Sequence, residues 1–101
     1  SDLDPETRAQ IERGKRLTEI LKQKNYQPLS LAHQVIAIYA ATNGLLDDLP
    51  VEKIKRFEDD FRVFLDGTAP ELIAEINQTK DFTEAMQEKI KKLAMEFKKG
   101  F

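Results

Sequence analysis

The sequence contains no cysteine and only one histidine among its 101 residues. Without cysteine there can be no disulfide framework, no thiolate metal site and no cysteine nucleophile, which is in keeping with a reducing compartment. The single histidine, His33, excludes zinc sites built from several imidazoles, and no glutamate precedes it by three residues as a di-iron motif requires. The sequence therefore predicts no metal site.

Glycine is scarce and dispersed, at positions 14, 44, 67 and 100. Loops that bind phosphate place several glycines close together, in the patterns G-x-x-x-x-G-K-[ST] or G-x-G-x-x-G. Neither pattern occurs in the sequence. We therefore expect no nucleotide or other cofactor site within these residues.

Long apolar runs and an excess of positive charge are also missing. No run approaches the roughly 20 apolar residues that a helix needs to cross a bilayer, and the chain does not open like a signal peptide. The net charge of −2 and the pI near 5.4 offer no basic surface for nucleic acid. With 41% hydrophobic and 34% charged residues, we expect one soluble globular domain over residues 1–101.

Apolar residues recur at helical spacing along the sequence, and no stretch alternates as a strand would. Helix starts are indicated by capping residues or proline at Asp4-Pro5, Ser30, Pro50 and Thr83, and Thr68 to Glu71 has the form of a capping box. The pattern predicts an all-α fold, a compact bundle of about five helices with short connections.

Two of these helices are predicted to form the core. The helix that begins at Leu31 is apolar on nearly all sides and ends at Asn43-Gly44, residues that tolerate a left-handed C-cap. After Pro50 a bulky stripe follows at steps of three and four: Ile54, Phe57, Phe61, Phe64 and Leu65. We expect the acidic cluster at 58–60, including Glu58, on the solvated side of that helix.

The first helix is predicted to run from Pro5 to about Lys24, with Ile11, Leu17, Ile20 and Leu21 as its apolar positions. It contains Gly14, and glycine weakens the interior of a helix. Either the helix bends there, or another part of the molecule packs close to the missing side chain.

The connection at residues 43–50, here called the exit loop, holds the candidate site residues Leu45, Leu46, Asp47 and Asp48. In one interpretation the leucines close the end of the bundle and the aspartates precede or cap the next helix. In the other, the loop presents all four side chains to a partner, since loops on rigid scaffolds often carry contacts. The sequence leaves both interpretations open.

A catalytic arrangement of Ser30, His33 and a distant aspartate is possible by residue type. We favour a structural interpretation, in which Ser30 caps the second helix and His33 is a residue of its first turn. No catalytic residue is assigned.

An ordered series of short segments resembles a known family. The segments are RGKRLTEILKQ at residues 13–23, Tyr26 with Pro28-Leu29, Gln34-Val35, Ile38-Tyr39-Ala40, NGLLDD at 43–48, PVEKI at 50–54 and RFE at 56–58. Together they resemble the C-terminal helical domain of the alpha subunit of bacterial-type, proton-translocating ATP synthases. The resemblance extends over essentially all 101 residues, although no segment is a catalytic signature.

The resemblance implies that residues 1–101 are the C-terminal fragment of a longer subunit. An absent upstream nucleotide-binding domain would bind ATP and magnesium, and the fragment itself would have no active site. Alpha subunits alternate with beta subunits in a ring around the gamma subunit, the central stalk. The complex, a proton-transporting ATP synthase, is peripheral on the cytoplasmic side of the bacterial cell membrane.

By the same resemblance, the exit loop with Leu45, Leu46, Asp47 and Asp48 is the expected contact with the central stalk. The expected function is non-catalytic support of rotary coupling between ATP turnover and proton transport. The alternative is a free-standing helical module for protein–protein interaction. We expect the isolated fragment to be monomeric, because its own core accounts for its apolar stripes.

Overall fold

The computed structural model describes residues 4–24 and 30–101, which form five α-helices and one 3₁₀ turn and include no strand. The helices are α1 (Pro5–Lys24), α2 (Leu31–Thr42), α3 (Ile54–Thr68), α4 (Pro70–Thr79) and α5 (Glu84–Gly100), and the turn is Val51–Lys53. The predicted all-α bundle is confirmed. The predicted break at residues 25–29 lies outside the described residues.

Three predicted helix starts are confirmed by hydrogen bonds at their caps. The backbone N–H of Thr7 donates to Asp4 Oδ1 at 2.7 Å, and this bond lowers the pKa of the Asp4 carboxyl. The Ser30 hydroxyl accepts from the N–H of His33, and the Thr83 hydroxyl accepts from the N–H of Met86, both at 3.3 Å. The first residues of α1, α2 and α5 therefore follow from local side-chain chemistry.

The predicted capping box at Thr68 is wrong. Helix α3 continues through Gly67, so that Thr68 is its last residue and Ala69, at φ −137° and ψ 55°, joins it directly to α4. Pro70 occupies the first turn of α4 and has no N–H to satisfy, which reduces the need for a side-chain cap there.

The core lies where α3 meets the other helices, and α3 packs against α1, α4 and α5. The predicted stripe is confirmed: Ile54, Phe57, Phe61 and Leu65 are at most 4% exposed, and Phe64 is partly buried. In α4, Leu72, Ile73 and Ile76 are buried, and in α5 so are Met86, Ile90 and Ala94.

Helix α2 is buried on one side only, contrary to prediction. Its face with Ala32, Ile36 and Ala40 is enclosed, whereas Leu31 is 42% exposed, because α1 and α4 cover only part of the helix. The prediction of the apolar positions in α1 was also only partly right, since Ile20 is buried but Ile11 and Leu21 are each 44% exposed. Among the described residues, no helix combines the length and apolar character that crossing a membrane requires.

Candidate functional site

The exit loop begins with a tight reversal at the end of α2. The N–H of Asn43 donates to the carbonyl of Tyr39 at 2.9 Å, and the N–H of Leu45 donates to the carbonyl of Ala40 at 3.0 Å. Between them Gly44 has φ +80°, and a Cβ there would lie 2.5 Å from Nη2 of Arg13. Glycine is needed both for the left-handed backbone and for this close approach, which confirms the predicted C-cap region.

Leu45 and Leu46 point into the core and do not face solvent. Leu45 is 8% exposed and Leu46 is 1% exposed. Their burial agrees with the interpretation in which they close the end of the bundle, and the idea that they are presented as open surface does not hold for the domain alone. Two leucines buried in succession fix the loop from inside.

Asp47 and Asp48 are exposed, and each is paired with a cation from a different helix. Arg13 of α1 reaches both carboxylate oxygens of Asp47, with Nε 3.2 Å from Oδ1 and Nη2 3.0 Å from Oδ2. That hydrogen bonding, and the negative charge behind it, raise the pKa of the Arg13 guanidinium. Lys98 of α5 contacts Asp48 at 2.6 Å. Both aspartates precede the turn after Pro50, as one interpretation predicted, but neither caps it, since that turn has no side-chain cap.

Arg16 is the side chain that holds the backbone of the loop, a role that was not predicted from the sequence. Only 7% exposed, it donates from Nε to the carbonyl of Leu46 at 2.8 Å and from Nη2 to the carbonyl of Leu49 at 2.6 Å. Lys98 adds a bond to the carbonyl of Leu45 at 2.6 Å. A usable signal existed, since Arg16 lies one turn before Ile20 and hence on the buried face of α1.

The exit loop is therefore fastened by three cations, Arg13, Arg16 and Lys98, which we call the cation clamp. Both of its carboxylates are neutralised by the clamp, and carbonyls along its backbone are bonded to buried or half-buried donors. These bonds can restrict the exit loop to one conformation. No cluster of three potential metal ligands occurs among residues 4–24 and 30–101.

The structure brings Ser30 and His33 together with Asp66. Ser30 Oγ lies 2.7 Å from Nδ1 of His33, and Nε2 of His33 lies 2.8 Å from Oδ1 of Asp66. The serine hydroxyl already accepts the helix N–H of His33, and the neighbouring N–H of Ala32 donates to Asn77 Oδ1 at 2.8 Å. The group ties the start of α2 to α3 and α4, which supports its structural interpretation.

Glu58 was predicted on a solvated face, and that prediction is wrong. It is 9% exposed, and neither carboxylate oxygen has a hydrogen-bond partner among the described residues. It lies one turn after Ile54, at the edge of the buried stripe, beside a cavity of about 30 Å³ that His33 and Arg62 also line. Burial, reinforced by the charge of Asp59 and opposed by Arg62, raises the pKa of Glu58 to about 7.

Comparison with known proteins identifies the family. Residues 1–97 match the model of the family described as ATP synthase alpha/beta chain, C terminal domain. The chain is also 43% identical, over all 101 of its residues, to ATP synthase subunit alpha of Aquifex aeolicus (strain VF5), and it spans 20% of that relative's length. Both findings agree with the helical architecture and with the order of segments described above. The protein belongs to the family formed by the C-terminal domains of ATP synthase alpha and beta subunits.

Proposed function

We propose that the protein is the C-terminal, non-catalytic domain of an ATP synthase alpha subunit. The observation that carries the proposal is the 43% identity to an alpha subunit along all 101 residues, which span only a fifth of that subunit. ATP and magnesium would then be bound by the upstream part of the subunit. A free-standing interaction module is not favoured, because the family match extends over residues 1–97.

In this proposal the domain works within a ring of alpha and beta subunits around gamma, peripheral to the cytoplasmic side of the membrane. The exit loop is its contact with the central stalk. Asp47 and Asp48 provide the surface, being 40% and 68% exposed as side chains. Leu45 and Leu46 hold the loop in place from the core.

The cation clamp supports a mechanical role for the loop. A loop that transmits movement between a turning shaft and a helical domain must deform less than the elements it connects. Arg16 and Lys98 anchor its backbone to α1 and α5, so that a displacement of these helices carries the loop with them. Since both aspartates are already paired, contact by shape accounts for the loop better than repulsion by free negative charge.

The test is a coupling measurement on the assembled complex. We expect the double substitution Asp47→Ala with Asp48→Ala, which removes the exposed side chains that would form the contact, to leave the helical content and ATP hydrolysis largely intact, and to lower proton pumping per ATP hydrolysed. Asp60→Ala is the matched control, because Asp60 is also an exposed, ion-paired aspartate but lies on α3. Unchanged synthesis, hydrolysis and pumping in the double variant would contradict the stalk contact.

A further inference from the structure

Helix α1 carries an exposed stripe that no described residue covers. Ile11 and Leu21 are each 44% exposed, and Gly14 and Thr18 lie exposed between them. Steps of three, four and three place these four residues on one face of the helix, on the far side from the buried Ile20. We call this face the α1 stripe.

The α1 stripe has no hydrogen-bond donor that needs an acceptor outside the helix. The hydroxyl of Thr18 donates to the carbonyl of Gly14 at 2.8 Å, within the helix itself. The other side chains of the stripe are aliphatic or absent. Removing a surface of this kind from water costs few hydrogen bonds, whereas leaving it exposed forgoes the free energy of burying its apolar groups.

Gly14 is costly in the middle of α1, and the described part of the protein gives no reason for it. Glycine weakens a helix interior relative to alanine. A Cβ built at Gly14 meets no described atom within 4 Å, and its backbone is not in the left-handed region. Gly67 also has no atom near its missing side chain, but it lies next to the last residue of α3, whereas Gly14 lies well inside α1. A glycine in a helix can let another backbone approach closely, and at Gly14 such an approach would come from outside the described residues.

The length of the related subunit indicates where the covering segment comes from. The chain spans 20% of the alpha relative, and the matched family is named a C-terminal domain, so the remainder of such a subunit precedes it. Helix α1 is the first described helix and is therefore the one joined most directly to that remainder. A row of side chains at steps of three and four, with a small residue inside it, is a surface on which a second helix packs.

We propose that the α1 stripe is the docking surface for a helix of the upstream part of the same subunit, which crosses α1 over Gly14. This rests on the proposed function, since it requires residues 1–101 to continue a longer alpha subunit. The contact joins the helical domain to the rest of the subunit through α1, whose Arg13 and Arg16 also hold the exit loop.

The test measures the accessibility of the stripe in the full-length alpha subunit, purified without other subunits. Thr18→Cys is introduced into a cysteine-free subunit, and the rate of maleimide labelling is compared with that of Arg8→Cys on the same helix and Lys55→Cys on α3, both exposed. We expect Thr18→Cys to be labelled about tenfold more slowly than either reference, since a thiol under a packed helix reacts only when the contact opens. Labelling at the reference rate would overturn the proposal.

A second measurement compares two helical glycines. Gly67 in α3 is the matched control, because a Cβ there also meets no described atom within 4 Å. In the full-length subunit we expect Gly14→Leu to lower the melting temperature and Gly67→Leu to leave it unchanged or raise it. Equal effects of the two substitutions would contradict a close crossing at Gly14.

These experiments distinguish the upstream helix from other possible occupants of the α1 stripe. A further observation tests the proposed function on which the docking rests. Protection of Thr18→Cys that appears only when beta or gamma is added, or only at high concentration of the subunit, would overturn the proposal in favour of another polypeptide. In an extract of the source, a native product near 11.6 kDa would overturn the proposed function and the docking together. Fast labelling within a genuinely longer subunit would overturn the docking alone.

Discussion

Glu58 is an acidic side chain enclosed by the apolar core between α1, α2 and α3. Its neighbours around the cavity include Ile20, Ile36 and Phe61, and the charged or titratable groups near it are His33, Asp59 and Arg62. An ionised carboxylate with no hydrogen-bond partner is costly in such surroundings, which is why its pKa rises to about 7. The folded domain therefore holds Glu58 in its protonated form below neutral pH.

Stability should consequently fall as pH rises towards neutrality. The pKa of Glu58 is about 7 in the folded state against an ordinary 4.5, so the folded state binds the proton more tightly. The free energy of unfolding should decrease as pH rises from 4.5 to about 7 and change little above that. The decrease is at most about 3 kcal/mol, because solvent that reaches the cavity weakens the effect.

Urea denaturation of the wild type and of Glu58→Gln, at several pH values across that interval, checks this prediction. Glutamine has nearly the same shape and does not titrate, so the variant should lack the decrease. Because His33 lines the same cavity as Glu58, the comparison is repeated in the background of His33→Gln. Identical pH profiles with glutamate and glutamine at position 58 would contradict the burial of a protonated Glu58.

The prediction that Glu58 is solvated was wrong for an identifiable reason. Its spacing to Arg62 fits an exposed pair four residues apart, which is a local pattern. Its spacing of four from Ile54 and three from Phe61 fits the buried stripe equally well. Only the width of the surface covered by α1 and α2 decides between the two, and that width depends on how the helices pack.

At the scale of an element, the exit loop also combines features that could be predicted from the sequence with features that could not. Its position and its turn were predictable, because Gly44 and Pro50 act through their own backbone preferences. The burial of Leu45 and Leu46 was one of two interpretations that the sequence left open, and the contacts of Arg13, Arg16 and Lys98 were not predicted. Those contacts join residues 30 to 53 positions apart in the sequence, and no local pattern reports which helix end will reach a loop.

Arg16 should be the residue on which the loop depends most. Replacing it by methionine keeps much of the apolar stem but removes the side-chain donor of the Leu49 carbonyl, and leaves the Leu46 carbonyl only the backbone N–H of Leu49. We expect Arg16→Met to lower the free energy of unfolding by about 3 kcal/mol, since buried unpaired polar groups are costly. Arg16→Lys should recover only part of the loss, because an ammonium lacks the planar fork that serves several carbonyls at once.

Equilibrium denaturation in urea measures this loss, with Lys15→Met as the control. Lys15 neighbours Arg16 on α1, but its side chain is 57% exposed and its pair with Glu12 lies at the surface. Such a pair contributes little. A value for Arg16→Met as small as that for Lys15→Met would mean that Arg16 contributes little to holding the loop.

At the scale of the whole molecule, one aromatic cluster joins the middle of the sequence to its end. Phe97 of α5 lies 5.5 Å from Phe57, 5.5 Å from Phe61 and 5.1 Å from Phe64, measured between ring centroids. Phe101 folds back to lie 5.4 Å from Phe57. These contacts fix α5 on α3, and the next residue after Phe97 is Lys98 of the cation clamp.

Weakening the packing of this cluster should therefore increase local opening of the exit loop. We expect Phe97→Ala to destabilise the domain by about 3 kcal/mol, since it removes a large side chain from a packed aromatic group. Lys98 would then hold Asp48 and the Leu45 carbonyl less firmly, so amide hydrogen exchange in residues 43–50 should rise beyond what global unfolding explains. Ile73→Ala is the control, because Ile73 is buried on α4 and contributes no side-chain bond to the loop. If both variants raise exchange in the loop by the same factor at matched stability, α5 does not hold the exit loop, and the clamp is confined to Arg13 and Arg16 on α1.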